Sequence, residues 1–292
     1  YKVLKRAAKR LFFYTYLYME RRCEALQEKT AGPQIMEAKG TEPKAENLLI
    51  GINTRYTHTN PALAILHLAC KNSGILLHTK EFSVNMPFME ILRDLYLTGA
   101  KRFLFSCYIW NIELVQKLSQ NLKAILPECT IIWGGSEWYG ACADRLFKEP
   151  YVDYILTGEG EVALPALAEG TSLAAVPYLC WRKEGKVLKN NEAPLVNLSE
   201  QPFLYAQSGW QSFRHKIVYY ESSRGCPFSC HFCLSATEPP RYRDIALVKQ
   251  DLSKMAAGGI TQIKFIDRTF NANLARAAEL LRFLLQLHAQ YP

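Results

Sequence analysis

The chain has 292 residues, of which 49% are hydrophobic and 21% charged, so wholesale disorder and fibrous repeats are excluded. No apolar run approaches the ~20 residues of a membrane-spanning helix, and the longest candidate, residues 11–19, carries four hydroxyls. The formal net charge of +8 is uneven: eight Lys/Arg against three Glu in residues 1–29 leave only +3 for the other 263, so no body-wide nucleic-acid surface is indicated.

Residues 1–29 read as a basic amphipathic helix, with Val3, Leu4, Ala7, Ala8, Leu11 and Phe12 at helical spacing. Residues 30–46 hold Gly, Pro and charge without periodicity and read as a linker. From Leu48 the pattern alternates. Strands are expected at 48–53, 75–82, 102–109, 130–135 and 151–161, with helices at 61–74, 88–99, 111–126 and 162–170. Asn111 is the expected cap of the third helix. Such alternation means parallel βαβ units in an open doubly wound sheet, which binds ligands at the carboxyl ends of its strands. Residues 178–190 read as a hairpin turning at Glu184-Gly185, and 191–216 as an irregular connector. A second α/β pattern follows: strand 217–223, loop 224–233, helix 247–257, strand 263–267, loop 268–273 and helix 274–290.

Nine cysteines and no secretory leader pattern point to a reducing cytoplasm, with thiols or metal ligands rather than disulfides. Cys226, Cys230 and Cys233 stand in C-x3-C-x2-C spacing just after a predicted strand. Three thiolates can hold three irons of a [4Fe-4S] cluster and leave the fourth open to a ligand. The alternative is a structural zinc site using these cysteines and His231. Zinc sites usually draw two ligand pairs from separated loops, and the sequence has no second C-x2-C.

This loop resembles that of the radical SAM superfamily. The resemblance implies that the open iron chelates S-adenosylmethionine (SAM), and that an electron from the cluster cleaves it to a 5′-deoxyadenosyl radical. Phe232 is then expected beside the adenine, and Asp267 and Asn271 at the SAM amino group. The electron comes from an external one-electron reductant of flavodoxin or ferredoxin type.

The segments INTRYTHTNPAL, FLFSCYIWN and VDYILTGEGE, ahead of such a loop, resemble a cobalamin (B12)-binding radical SAM family. The resemblance covers about residues 48–170 and 217–292. It implies cobalamin contacts from Asn53, His58, Ser106, Tyr108, Gly134, Gly135, Gly158, Glu159 and Gly160. His58 lacks the Asp and Gly of the cobalt-ligating D-x-H-x-x-G pattern, so a capping or corrin-edge contact is expected of it rather than ligation. A bulky side chain at Gly135 is expected to fill the cobalamin slot and leave the fold intact.

The expected architecture is a flavodoxin-like, Rossmann-like parallel sheet followed by the first βα units of a partial TIM-type barrel. Its parts are an extension at 1–46, a B12-binding domain at 47–170, a hairpin and connector at 171–216 and a radical SAM portion at 217–292. The expected function is a cobalamin-binding radical SAM enzyme performing methyl transfer or rearrangement on an unknown substrate. The alternatives are an oxidoreductase with a degenerate B12 domain, or a non-catalytic cofactor-binding module. The chain starts at Tyr1 and stops after an apolar helical pattern, so both ends are expected to be cut, with exposed apolar surface on the last helix and little turnover.

Overall fold

The computed structural model describes residues 46–55, 58–138, 142–205, 210–213, 215–233 and 238–291. The basic helix expected at 1–29, and the linker up to its last residue, lie outside the described residues.

Strands β1 (Asn47–Asn53), β2 (His78–Ser83), β3 (Arg102–Ser106), β4 (Thr130–Gly134) and β5 (Tyr154–Leu156) are all parallel and lie in the order β2-β1-β3-β4-β5. This is the doubly wound arrangement expected from the sequence. A hairpin, β6 (Leu179–Lys183) and β7 (Lys186–Lys189), adds antiparallel to β5, so the predicted hairpin is the edge of the same sheet. β1 sits between two neighbours and is covered on both faces, which is why NLLIGIN is nearly continuous in apolar residues.

The helices divide between the faces. On one, α2 (Phe88–Leu97), α3 (Ile112–Ile125) and α4 (Cys142–Lys148) pack Ile91, Leu95, Val115, Leu118 and Leu146 against Ile50, Phe103, Ile131 and the stacked pair Trp133–Trp138. On the other, α1 (Pro61–Asn72) and α5 (Gly160–Glu169) pack Leu63, Leu164 and Leu167 against Leu49, Leu104 and Ile132. α1 starts where Asn60 accepts from the Leu63 amide at 3.3 Å and Pro61 takes the first helical position. α4 is too short for its periodicity to have marked it in the sequence. It also brings Cys142 to Cys180 of β6, their Cα atoms 6.4 Å apart and their sulfurs joined as a disulfide. For this pair, that corrects the expectation of thiols or metal ligands rather than disulfides.

Asn111 is a second correction. It makes no cap bond to α3. Its side chain, 1% exposed, donates to Ile52 O at 3.1 Å and Ser106 O at 2.9 Å and accepts from the Tyr108 amide at 2.8 Å. It therefore ties the ends of β1 and β3 together.

The second unit pairs β8 (Val218–Tyr220) with β11 (Ile263–Phe265) in parallel, and β9 (Ser223–Arg224) with β10 (Arg241–Tyr242) antiparallel. Helices α6 (Ile245–Ala257) and α7 (Leu274–Gln290) bury Val248, Leu252, Met255 and Leu280 with Val218 and Tyr220. Leu274, Leu281 and Leu285 of α7 are exposed, as its apolar stripe led us to expect.

Gly135 has a φ of +104°, and a Cβ there would lie 2.4 Å from the Cys107 carbonyl oxygen. The expectation that a bulky residue leaves the fold intact fails on both counts. At Gly134 a Cβ would meet nothing nearer than Leu156 at 3.8 Å. Gly135→Ala should therefore cost about 2–3 kcal/mol in urea titration, and Gly134→Ala less than ~1. Equal stabilities would refute this steric account.

Candidate functional site

The strand order reverses between β1 and β3, because α1 leads from β1 to β2 on one side and α2 leads back past β1 to β3 on the other. In such sheets the crevice beyond this switch point is the place for a ligand. A cavity of about 740 Å³ opens there, lined on its far side by the second unit. Asn53, His58, Ser106, Tyr108, Gly134, Gly135, Gly158, Glu159 and Gly160 all line it. The opposite wall includes Tyr219, Glu221, Ser223, Arg224 and Arg268, so strand ends of both units face one space.

The polar atoms of this wall are largely engaged within the chain. Asn53 donates to Glu81 at 2.6 Å and accepts from Asn60 at 2.9 Å. Tyr108 stacks on Trp110 with ring centres 4.5 Å apart, and the Trp110 indole donates to Ile52 O at 3.2 Å. Burial pushes the Tyr108 hydroxyl up from its ordinary value. Trp110, within the segment FLFSCYIWN, is a lining residue the sequence reading passed over.

His58 and Thr59 bind the second unit. His58 bridges Ile217 in parallel, and its Nδ1 shares a hydrogen bond with the Tyr219 hydroxyl at 3.1 Å. The Thr59 amide and hydroxyl both donate to Ile217 O at 3.2 Å, and the hydroxyl accepts from the Tyr219 amide at 3.0 Å. The loop after β1 thus extends the β8–β11 sheet by backbone pairing.

Glu159 is 8% exposed, and both carboxylate oxygens are taken. Oε1 accepts from Arg224 at 2.7 Å and Arg241 at 2.6 Å, and Oε2 accepts from the Val196 amide at 2.7 Å. Burial pushes its pKa up, but the bonds from Arg241, Val196 and Arg224 outweigh this and hold it below the ordinary carboxylate value. The sequence motif Gly158-Glu159-Gly160 was read as a ligand turn; its carboxylate is a tie between the units. The glycine beside it is needed for packing, since a Cβ on Gly158 would lie 2.2 Å from the Tyr178 ring.

The cysteine loop hangs from β9 and β10. Arg224 pairs with Arg241 across the stem, and the Cys226 amide donates to Glu238 O at 3.0 Å. Gly225, with φ +87°, lets the two sides of the stem approach closely, since a Cβ there would lie 2.3 Å from Pro239 O. Asp267, expected at SAM, accepts from the Ser222 and Ser223 amides at 2.7 and 3.1 Å and from the Ser222 hydroxyl at 2.5 Å. It fixes the strand end that leads into the loop. Asn271 is exposed in the following turn, and Phe232 is 92% exposed.

Cys226 Sγ lies 3.3 Å from the Thr269 hydroxyl. That hydrogen bond, then the Phe228 amide and the Arg268 charge, hold its thiol below the ordinary value against a small effect of burial. Among the described residues no three His, Cys, Asp or Glu side chains are gathered as a metal site. The donor set still fits a cluster: three thiols on one loop between zipped stems. Metal binding is coupled to folding of its ligand loop, so gathered sulfurs are not required beforehand.

Comparison with known proteins agrees with this geometry. Residues 47–168 match the B12 binding domain family. The cobalamin-dependent radical SAM methyltransferase TokK of Streptomyces tokunonensis is 28% identical over 142 residues, 44% of this chain and 21% of that protein. The anaerobic magnesium-protoporphyrin IX monomethyl ester cyclase of Synechocystis is 29% identical over 133 residues, 41% of this chain and 26% of that one. The radical S-adenosylmethionine methyltransferase TsrM of Kitasatospora setae superimposes with a TM-score of 0.62 at 17% identity, covering 82% of this chain and 51% of TsrM. That likeness is one of fold. Residues 47–168 thus match a B12-binding domain and have a Rossmann-like fold, and the relatives of the chain include a cobalamin-dependent radical SAM methyltransferase. The chain spans about a fifth to a quarter of the length of the two curated relatives named here. Among the described residues no helix is long and apolar enough to cross a membrane.

Because the Glu159 pKa is lower folded than unfolded, its contribution to stability is complete above the unfolded value and lost as pH falls through the folded one. The tie between the units should hold at neutral pH and weaken only below about pH 4. Thermal unfolding of wild type should therefore fall more steeply on acidification than that of Glu159→Gln. Parallel curves would show that Glu159 carries no such linkage.

Proposed function

We propose that this chain is the cobalamin- and cluster-binding part of a radical SAM enzyme. The observation that carries the reading is the position of the cavity. It lies between the switch point of a B12-binding sheet and the stem of a C-x3-C-x2-C loop. When bound, a three-cysteine [4Fe-4S] cluster supplies the electron that cleaves SAM, and cobalamin supplies a carrier for a one-carbon group.

The chain's own residues have distinct tasks in this reading. Cys226, Cys230 and Cys233 hold the iron. Gly134 leaves room at the end of β4 for the cofactor tail, beside Ser106 at the end of β3. The Tyr108–Trp110 stack offers a flat apolar wall. Arg268 puts positive charge on the facing side, and the two units together line the space between them. Relatives include both a methyltransferase and a cyclase, so the proposed class is radical chemistry with cobalamin, and the substrate is left open. The electron would come from an external flavodoxin- or ferredoxin-type reductant in the cytoplasm.

Anaerobic reconstitution with iron, sulfide and hydroxocobalamin tests the reading by iron counting and corrin absorbance. Alanine at Cys226, Cys230 or Cys233 should abolish the ~4 Fe per chain expected of such a cluster. Stoichiometric zinc without iron would defeat it. Gly134→Phe should weaken cobalamin binding about tenfold or more, a steric cost of ~1–3 kcal/mol, while far-UV circular dichroism stays unchanged. Unaltered affinity would place cobalamin elsewhere.

A further inference from the structure

One guanidinium stands out from the rest of the site. Arg224 donates to three carboxylates: Glu159 at 2.7 Å, Glu161 at 2.8 Å and Glu221 at 2.8 and 3.1 Å. Glu159 and Glu161 belong to the turn and first residues of α5, in the B12-binding domain. Glu221 precedes Arg224 by three residues and pre-aims it. Both α5-side carboxylates are buried at the contact, with side chains 8% and 7% exposed. A pair of that kind differs from surface ion pairs, because removing one partner leaves the other charge unmatched.

Arg224 is also two residues from Cys226, on a stem without slack. Gly225 crosses Pro239 closely, Arg241 pairs opposite and shares Glu159, and Asp267 holds Ser222 and Ser223. Any shift of Arg224 is therefore passed to the start of the cysteine loop at Cys226. The two units are joined separately by the backbone pairing of His58 and Thr59 with Ile217 and Tyr219. Loss of Arg224 would leave that joint and the Arg241–Glu159 pair in place, and would remove only the tie of the loop's first stem strand to Glu159 and Glu161.

We propose that Arg224 is a positioning residue, setting the cysteine loop at a fixed distance from the cobalamin cavity through Glu159 and Glu161. The proposal rests on the functional reading above. Its planar fork is what the task needs: lysine keeps the charge but cannot reach three carboxylates at once. The chemistry in question runs between two cofactors held by different units, so their separation is a quantity the protein must fix.

The test uses the full chain reconstituted with iron, sulfide and hydroxocobalamin, then reduced with dithionite. Cob(II)alamin and the reduced cluster are both paramagnetic. The cluster shortens the relaxation time of the cobalt signal by an amount that falls with the sixth power of their distance. Arg224→Gln should keep ~4 Fe per chain and its cobalamin. Its relaxation enhancement should fall about 1.5-fold or more, since a loosened supporting shell displaces a site by about 1 Å. Arg224→Lys should fall between it and wild type. Glu161→Gln, which alters the lock from the other unit and leaves the loop's sequence untouched, should shift in the same direction. Full loading with unchanged enhancement in both Arg224→Gln and Glu161→Gln would overturn the proposal. So would loss of iron in all three variants, which would make the contact a requirement for building the loop rather than placing it. If Arg224→Gln alone loses iron, the enhancement in Glu161→Gln decides. Wild type that takes up no iron or no cobalamin would overturn the functional reading itself, and this proposal with it.

Discussion

Everything in this molecule is arranged around one topological constraint, the reversal of winding between β1 and β3. Two neighbouring parallel strands whose connections leave on opposite sides cannot have their carboxyl ends covered by either connection. The gap so formed is widest beyond Asn53 and Ser106, where the cavity lies. The protein stabilises that opening from below with Asn111 and lines it with the stacked rings of Tyr108 and Trp110. The second unit supplies the missing cover.

That cover is attached in two chemically different ways. Backbone pairing between the loop after β1 and β8 is short-ranged, directional and insensitive to salt. It also occupies an edge of the β8–β11 pair that would otherwise be open to other strands. The carboxylate–guanidinium network around Arg224 and Arg241 acts farther along the same boundary and depends on ionisation. Together they hold the second unit against the wall of the cavity.

Legibility in the sequence followed the physics of each element. The buried strands and the helices between them were readable, because β1, β3 and β4 are covered on two faces and the helices on one, which leaves periodic patterns. The end of α7 at Gln290 and its exposed leucines were likewise visible. Short elements were not: α4 has seven residues, too few for a period to repeat convincingly. The nine lining residues drawn from family resemblance converge on one cavity, yet their individual tasks were hidden. Glycine says that space is needed and not on whose behalf; Gly135 makes room for the Cys107 backbone and Gly158 for the Tyr178 ring. Nor does a sequence say that Glu159 and Asp267 will find partners 65 and 45 residues away. A capping pattern misled at Asn111 for the same reason: the local signal was sound, but the side-chain oxygen that would cap the helix accepts from the Tyr108 amide, while its NH2 group donates to carbonyls at the ends of two strands.

The position of Asn111 has a bearing on how the protein ages. Asparagine converts slowly to aspartate when the next residue's backbone nitrogen attacks its side-chain carbonyl. Here that nitrogen belongs to Ile112, a β-branched residue, and its hydrogen is bound to Tyr108 O at 3.1 Å. The side chain is itself held by three bonds in a place water scarcely reaches. The amide is thus shielded from the reaction in the folded state and open to it only on unfolding. Were it lost, a carboxylate would face the carbonyl oxygens of Ile52 and Ser106, like against like in a buried site. The tie between the ends of β1 and β3 would be lost at that point, so chemical wear at one buried atom would register first where the two strands open into the cavity.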